Sequence, residues 1–96
     1  MRTDQGQTLL AIARAAIAGQ LGVPAPSFDE AQWLAEPGAT FATLTCAGAL
    51  RGCIGSLVAE RTLRTDVASN ALAAAFSDPR FPPLSAREYR ALEVEV

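Results

Sequence analysis

The chain has no histidine and no lysine; all eight of its basic residues are arginine. The missing imidazole removes the commonest general base, the histidine-assisted nucleophiles and most transition-metal sites. A net charge of −2 without a lysine-rich patch argues against non-specific nucleic-acid binding, which rests on concentrated positive charge. Aromatics are sparse, with one tryptophan and one tyrosine. No apolar run approaches the roughly 18 residues of a membrane span. Leu9–Ala18 resembles the apolar core of a secretion signal, but Arg14 interrupts it and Asp4 stands where a basic stretch belongs. Two cysteines without an export signal fit a reducing, cytoplasmic setting. Nothing in the composition calls for a metal or cofactor.

Ninety-six residues make one domain at most, and half of them are apolar. A chain of this size buries only about 60–65% of its unfolded surface, and much of the apolar content is alanine, so its stability margin is thin. Asp4 and Gln7 are spaced as a helix cap and its third-position partner. Leu9, Ile12, Ala13, Ala16 and Ile17 then form one helical stripe, ended by Gly19–Gly22 and held closed by Pro24 and Pro26. Ser27 and Glu30 suggest a second capping box before a short helix carrying Trp33, expected to seal one edge of the core.

Residues 40–57 read as a hairpin, with Ala47-Gly48 as its turn. A plain two-residue turn sets Cys53 opposite Ala42 and Cys46 opposite Ala49, too far apart for a disulfide. Gly52 and Gly55 bracket Cys53 and predict a bend or bulge. On a regular strand Arg51 and Cys53 share a face. Thr62 then caps a helix with a narrow face of Leu63, Val67, Ala71 and Ala74, beside which lies Asn70. Arg80–Leu84 must be extended, because each residue before a proline is pushed out of the helical region. Ser85 and Glu88 form a third capping box. Leu92, Val94 and Val96 alternate with Glu93 and Glu95 as a closing strand at 92–96. The expected class is α+β: helices packed on a largely antiparallel sheet.

Three groups of residues carry chemical promise. Cys53 is a candidate nucleophile if Arg51 and open glycine amides stabilise its thiolate; otherwise it packs as a small apolar group. The run Arg51-Gly52-Cys53-Ile54-Gly55-Ser56 can also be read as an anion cradle, arginine offering a rigid fork and glycines admitting a ligand to the backbone. The amides at the start of the Thr62 helix are expected to face the same space. The alternative is that the glycines curve the strand and Arg51 pairs with an acid. Asn70, Asp78 and Arg80 complete the set. Asp78 reads best as a turn residue or as a partner of Arg80, Asn70 as a ligand contact or a bond to an exposed backbone edge. Phe81 is expected in the core, Cys46 has no assigned role, and Glu88 reads as a cap. Glu93 is a solvated strand residue or reaches Arg51 or Arg80.

LRGCIG, a following helix and AAAFSDPRFPPLS together resemble the AMMECR-type domain family, whose bacterial and archaeal members are called AmmeMemoRadiSam system protein A. The likeness runs from the first helix through the closing LEVEV strand. It implies that Asn70 and the Asp78–Pro83 run accompany LRGCIG in a common pocket. It also implies a setting beside a Memo-type protein and a radical-SAM enzyme. The family domain is usually nearly twice as long, so residues 1–96 are expected to be a single domain lacking its C-terminal part, with self-association one way to cover the closing strand. The family's reaction is not established. Two readings follow: an accessory or ligand-binding domain that works through a partner, and, ranked second, an enzyme using Cys53 on a small anionic substrate.

Overall fold

The computed structural model describes residues 3–96, with side chains from residue 5. Its elements in chain order are α1 (Thr3–Leu21), a 3-10 turn (Gln32–Ala35), β1 (Phe41–Cys46), β2 (Ala49–Gly55), α2 (Leu63–Phe76), α3 (Ala86–Arg90) and β3 (Leu92–Glu95). The three strands form an antiparallel sheet in the order β2-β1-β3. All three α-helices pack on one side of it, giving the expected α+β class.

Residue pattern accounts for the layers. Leu9, Ile12, Ala13 and Ile17 of α1 are buried against Val67, Ala71, Ala74 and Ala75 of α2. The helical pair lies on Ala42, Leu44 and Leu92 of the sheet. Alanine along α2 lets that helix approach closely, and Gly52 extends the approach: a Cβ there would lie 2.1 Å from the Ala74 carbonyl oxygen. Trp33 packs at the margin of this core, as its place in the sequence suggests.

Local signals set most of the boundaries. Gly22 takes φ +72° and ends α1, with Val23 N–H donating back to the Ala18 carbonyl. Thr62 caps α2 by accepting from Thr65 N–H, and Ser85 and Glu88 form the reciprocal capping box of α3. Ala47 and Gly48 both adopt positive φ in the hairpin turn, the pairing that matches strand twist.

Two expected caps differ. Asp4 falls inside α1 rather than ahead of it, and its side chain lies outside the described residues. Ser27 starts no helix: the 3-10 turn begins at Gln32, and Glu30 instead pairs with Arg64 at 2.6 Å.

The hairpin register also departs from the plain two-residue count. Cys46 faces Ala49 as expected, but Cys53 faces Thr43, not Ala42. Thr45 pairs with Leu50 and Leu44 with Gly52, so Arg51 is the extra residue of a β-bulge. The bulge that the glycines predicted is present, and its position shifts every later pair by one. Arg51 and Cys53 consequently do not behave as residues two apart on a regular strand.

Candidate functional site

Arg51 is displaced from the ladder and driven inward, its side chain only 8% exposed. Its Nε donates to Glu88 Oε2 at 2.7 Å, and its Nη2 donates to Glu88 Oε1 at 3.2 Å and to the Pro82 carbonyl at 2.7 Å. Its guanidinium carbon lies 5.6 Å from the Phe81 ring centre. The remaining nitrogen, Nη1, is the one buried side-chain polar atom among the described residues without a hydrogen-bond partner.

Glu88 therefore does two things. It closes the α3 capping box through Ser85, and it holds Arg51. The guanidinium is the main reason that its carboxyl is depressed to about 2, against the opposing effect of burial. The same pair raises the Arg51 pKa. Cys46, with no role assigned by the sequence, sits on this side too: its thiol lies 3.9 Å from the Glu88 carbonyl oxygen.

The 78–84 segment straps this corner down. Asp78 is buried, and its carboxylate takes a bidentate pair from Arg80, at 3.0 Å from Nε and 2.7 Å from Nη2. It also accepts from Arg80 N–H and, across to the edge of β2, from Cys53 N–H at 3.2 Å. Arg80 is the largest cause of the lowered Asp78 pKa. Phe81, expected in the core, lies instead half-buried between the guanidiniums of Arg51 and Arg80 at 5.6 and 5.4 Å. Two consecutive prolines after it leave the strap without amide donors until Leu84, whose N–H binds the Ala75 carbonyl.

Cys53 belongs to the opposite, helix-free face of the sheet. Its sulfur lies 3.4 Å from the Thr43 hydroxyl. Gly55 lies under the Phe41 ring: a Cβ there would meet that ring at 2.2 Å. Both glycines of LRGCIG thus have packing reasons to lack a side chain, Gly52 against α2 and Gly55 against Phe41.

Asn70 occupies a third place. It is buried, and its amide donates to the Thr40 carbonyl at 2.9 Å, the Ser56 hydroxyl at 3.1 Å and Asp66 Oδ2 at 3.1 Å. Asp66 also accepts from Thr40 N–H and hydroxyl, both at 2.7 Å, from Ser56 at 2.6 Å and from Arg61 at 2.9 Å. Burial alone would raise the Asp66 pKa; these donors outweigh it and hold the carboxyl below its usual range. The start of α2 adjoins residues 36–38 in this region, with Leu63 N–H on the Glu36 carbonyl, so its amides do not face Arg51.

The six expected ligand residues therefore fall into three neighbourhoods. Arg51, Gly52 and Arg80 surround the strap, Cys53 and Gly55 lie on the open sheet face, and Asn70 ties α2 to the end of the hairpin. Asp78 links the first two through the Cys53 amide. The sequence reading missed Asp66, Thr40 and Arg61, and it placed Ser56 in the anion cradle rather than in this network. Asp66 and Asn70 are four apart on α2, a spacing that puts both on one helical face beside the apolar stripe and could have flagged the pair. Glu93 reaches neither Arg51 nor Arg80; it is exposed on the open face.

The bulged Arg-Gly-Cys strand, its glutamate-held arginine and the proline strap define an α+β domain whose corner is closed by the Arg51–Glu88 and Arg80–Asp78 pairs. The AMMECR1 family profile matches residues 10–96, and the chain belongs to that family. It is 38% identical over its whole length to a protein of Sulfolobus acidocaldarius, covering 45% of that protein. It is 36% identical, again over its whole length, to the protein Mbar_A1807 of Methanosarcina barkeri, covering 51% of it. The crystal structure of the uncharacterized protein PH0010 from Pyrococcus horikoshii superposes with a TM-score of 0.87 at 32% identity, over 98% of this chain and 50% of that one. The chain spans about half the length of these relatives. Among the described residues no helix is long and apolar enough to cross a membrane.

Proposed function

We propose that this chain is an accessory module that acts through a partner rather than an enzyme in its own right. One observation carries the reading. The charged side chains of LRGCIG and DPRFPPL already have partners, Arg51 in Glu88 and Arg80 in Asp78, while the opposite sheet face leaves Phe41 and Leu50 exposed. Charges bound this way hold the domain together; the uncovered face is where something else can bind. By family resemblance the partners are a Memo-type protein and a radical-SAM enzyme. The experiment is co-expression with those two proteins from the same genome. The reading expects them to elute together with this chain during size-exclusion chromatography. Separate elution, with the isolated chain turning over a substrate, would refute it.

A second reading, a small-anion pocket at Arg51, is favoured by the orphaned Nη1. A buried donor left unpaired costs about 1–3 kcal/mol, so an acceptor brought to it would gain that back. Calorimetric titration with inorganic phosphate tests it: saturable binding lost in Arg51→Met supports the pocket, and no heat, or heat unchanged by the substitution, removes it.

A further inference from the structure

The open face of the sheet has a definite composition. Register places Phe41, Thr43 and Thr45 of β1 on it, with Gly55, Cys53 and Leu50 of β2 on one flank and Glu95 and Glu93 of β3 on the other. Phe41 and Leu50 are 52% and 43% exposed. Glu93 and Glu95 are exposed and have no ion-pair partner among the described residues. Arg80 lies beside the Cys53 edge of this face but is already paired with Asp78. It is therefore a half-apolar, half-acidic surface, sorted by strand.

We propose that this face is a docking surface for a single basic amphipathic helix of another polypeptide. The proposal rests on the accessory reading above and names the partner's chemistry. Size fits: three strands and five residues of β1 offer roughly 10 Å by 13 Å, about the width of one helix and two to three of its turns. Charge selects the occupant. The helix lays its apolar stripe on Phe41, Leu50 and Cys53 and sets lysines or arginines against Glu93 and Glu95. A second copy of this chain would bring the same two carboxylates and, at this edge, only the already paired Arg80, so charge complementarity disfavours self-association here. Phe41 is held in place because Gly55 yields room for its ring.

The test uses the 15N-labelled chain and two probes, an amphipathic Leu/Lys helical peptide of about 14 residues, or four turns, and its Leu/Glu counterpart. The Leu/Lys peptide is expected to shift the amides of Thr43, Thr45, Cys53, Glu93 and Glu95, and the Leu/Glu peptide to leave them unmoved. The double variant Glu93→Gln/Glu95→Gln should weaken binding about 3- to 10-fold, as expected for two exposed ion pairs. Leu50→Ser should weaken it as well, and Leu57→Ser, on the loop after β2, should not. Equal binding of both peptides, shifts centred elsewhere, indifference to the charge removal, or no binding at about 1 mM peptide would overturn the proposal. So would concentration-dependent dimerisation that broadens the same amides, which would give the face to a second copy. If the double variant co-elutes with the Memo-type and radical-SAM proteins as strongly as the parent chain across a dilution series, the accessory reading stands and this surface falls. If the peptide binds as expected but neither protein co-elutes, the surface stands and that choice of partners falls.

Discussion

Replacing Gly52 by alanine separates a packing role from a ligand-cradling role for the central motif. The added Cβ would lie 2.1 Å from the Ala74 carbonyl oxygen and 2.9 Å from its carbon. Both are backbone atoms in the last turn of α2, so no rotamer change relieves the contact. Restoring an ordinary separation requires α2 and β2 to part by about 1 Å, which loosens the whole interface between them. Overpacking of this kind costs typically about 1–3 kcal/mol, and we expect about 3 kcal/mol here because backbone must yield. A domain of this length has a total stability of about 5–14 kcal/mol, so the variant should fold but melt about 12–24 °C lower. Thermal unfolding followed by circular dichroism and Trp33 fluorescence reads the effect. Gly19→Ala is the control: nothing lies within 4 Å of its Cβ position, and helix propensity predicts a gain of up to about 1 kcal/mol. A Gly52→Ala protein melting within about 2 °C of the parent would refute the packing role and return this glycine to the ligand reading.

Other expectations follow from the same contacts. Glu88 has a depressed carboxyl, so it stabilises the fold fully above its ordinary value of 4.5, and that stability is lost as pH falls through about 2. Asp66 and Asp78 act with the same sign. Urea midpoints should therefore fall between about pH 4.5 and 2, and Glu88→Gln should flatten that slope. Asn70→Ala strands the buried acceptors it serves and should cost about 1–3 kcal/mol in chemical denaturation; an unchanged midpoint would mean that the network contributes nothing. Cys53→Ser changes only a half-buried group beside Thr43, so the melting temperature should move by less than about 4–8 °C, the equivalent of 1 kcal/mol. A larger loss would identify the thiol as core.

Much of the architecture was legible because it is written in local signals. The Thr62 cap, the Ser85–Glu88 box, the Gly22 stop and the Ala47-Gly48 turn each depend on a few neighbouring residues. The apolar stripes of α1 and α2 follow helical spacing: Leu9, Ile12, Ala13 and Ile17, and Val67, Ala71 and Ala74, are buried as it selects, whereas Ala16 and Leu63 are half-buried and Ala18 and Ala75 are buried beside the stripes. The candidate site was less legible because it depends on register. A single extra residue at Arg51 turned the guanidinium toward α3 and separated it from Cys53, and nothing in the local sequence fixes which residue of a glycine-flanked strand is the bulged one. Asp66 escaped notice because a carboxylate in the first turn of a helix ordinarily signals a favourable dipole, not a buried hub. Phe81 looked like core by residue type, but its neighbours on both sides proved to be arginines. Ser27 and Glu30 had the spacing of a cap with no helix behind it.

The central claim is that the arginine of LRGCIG holds the fold together by gripping Glu88. A double-mutant cycle with Arg51→Met and Glu88→Gln, read by urea unfolding at neutral pH, measures that grip directly. The account predicts a coupling energy of about 0.5–2 kcal/mol, as for a bidentate pair in which Arg51 is buried and Glu88 is partly open to solvent. A coupling near zero, with both single variants as stable as the parent, would contradict it.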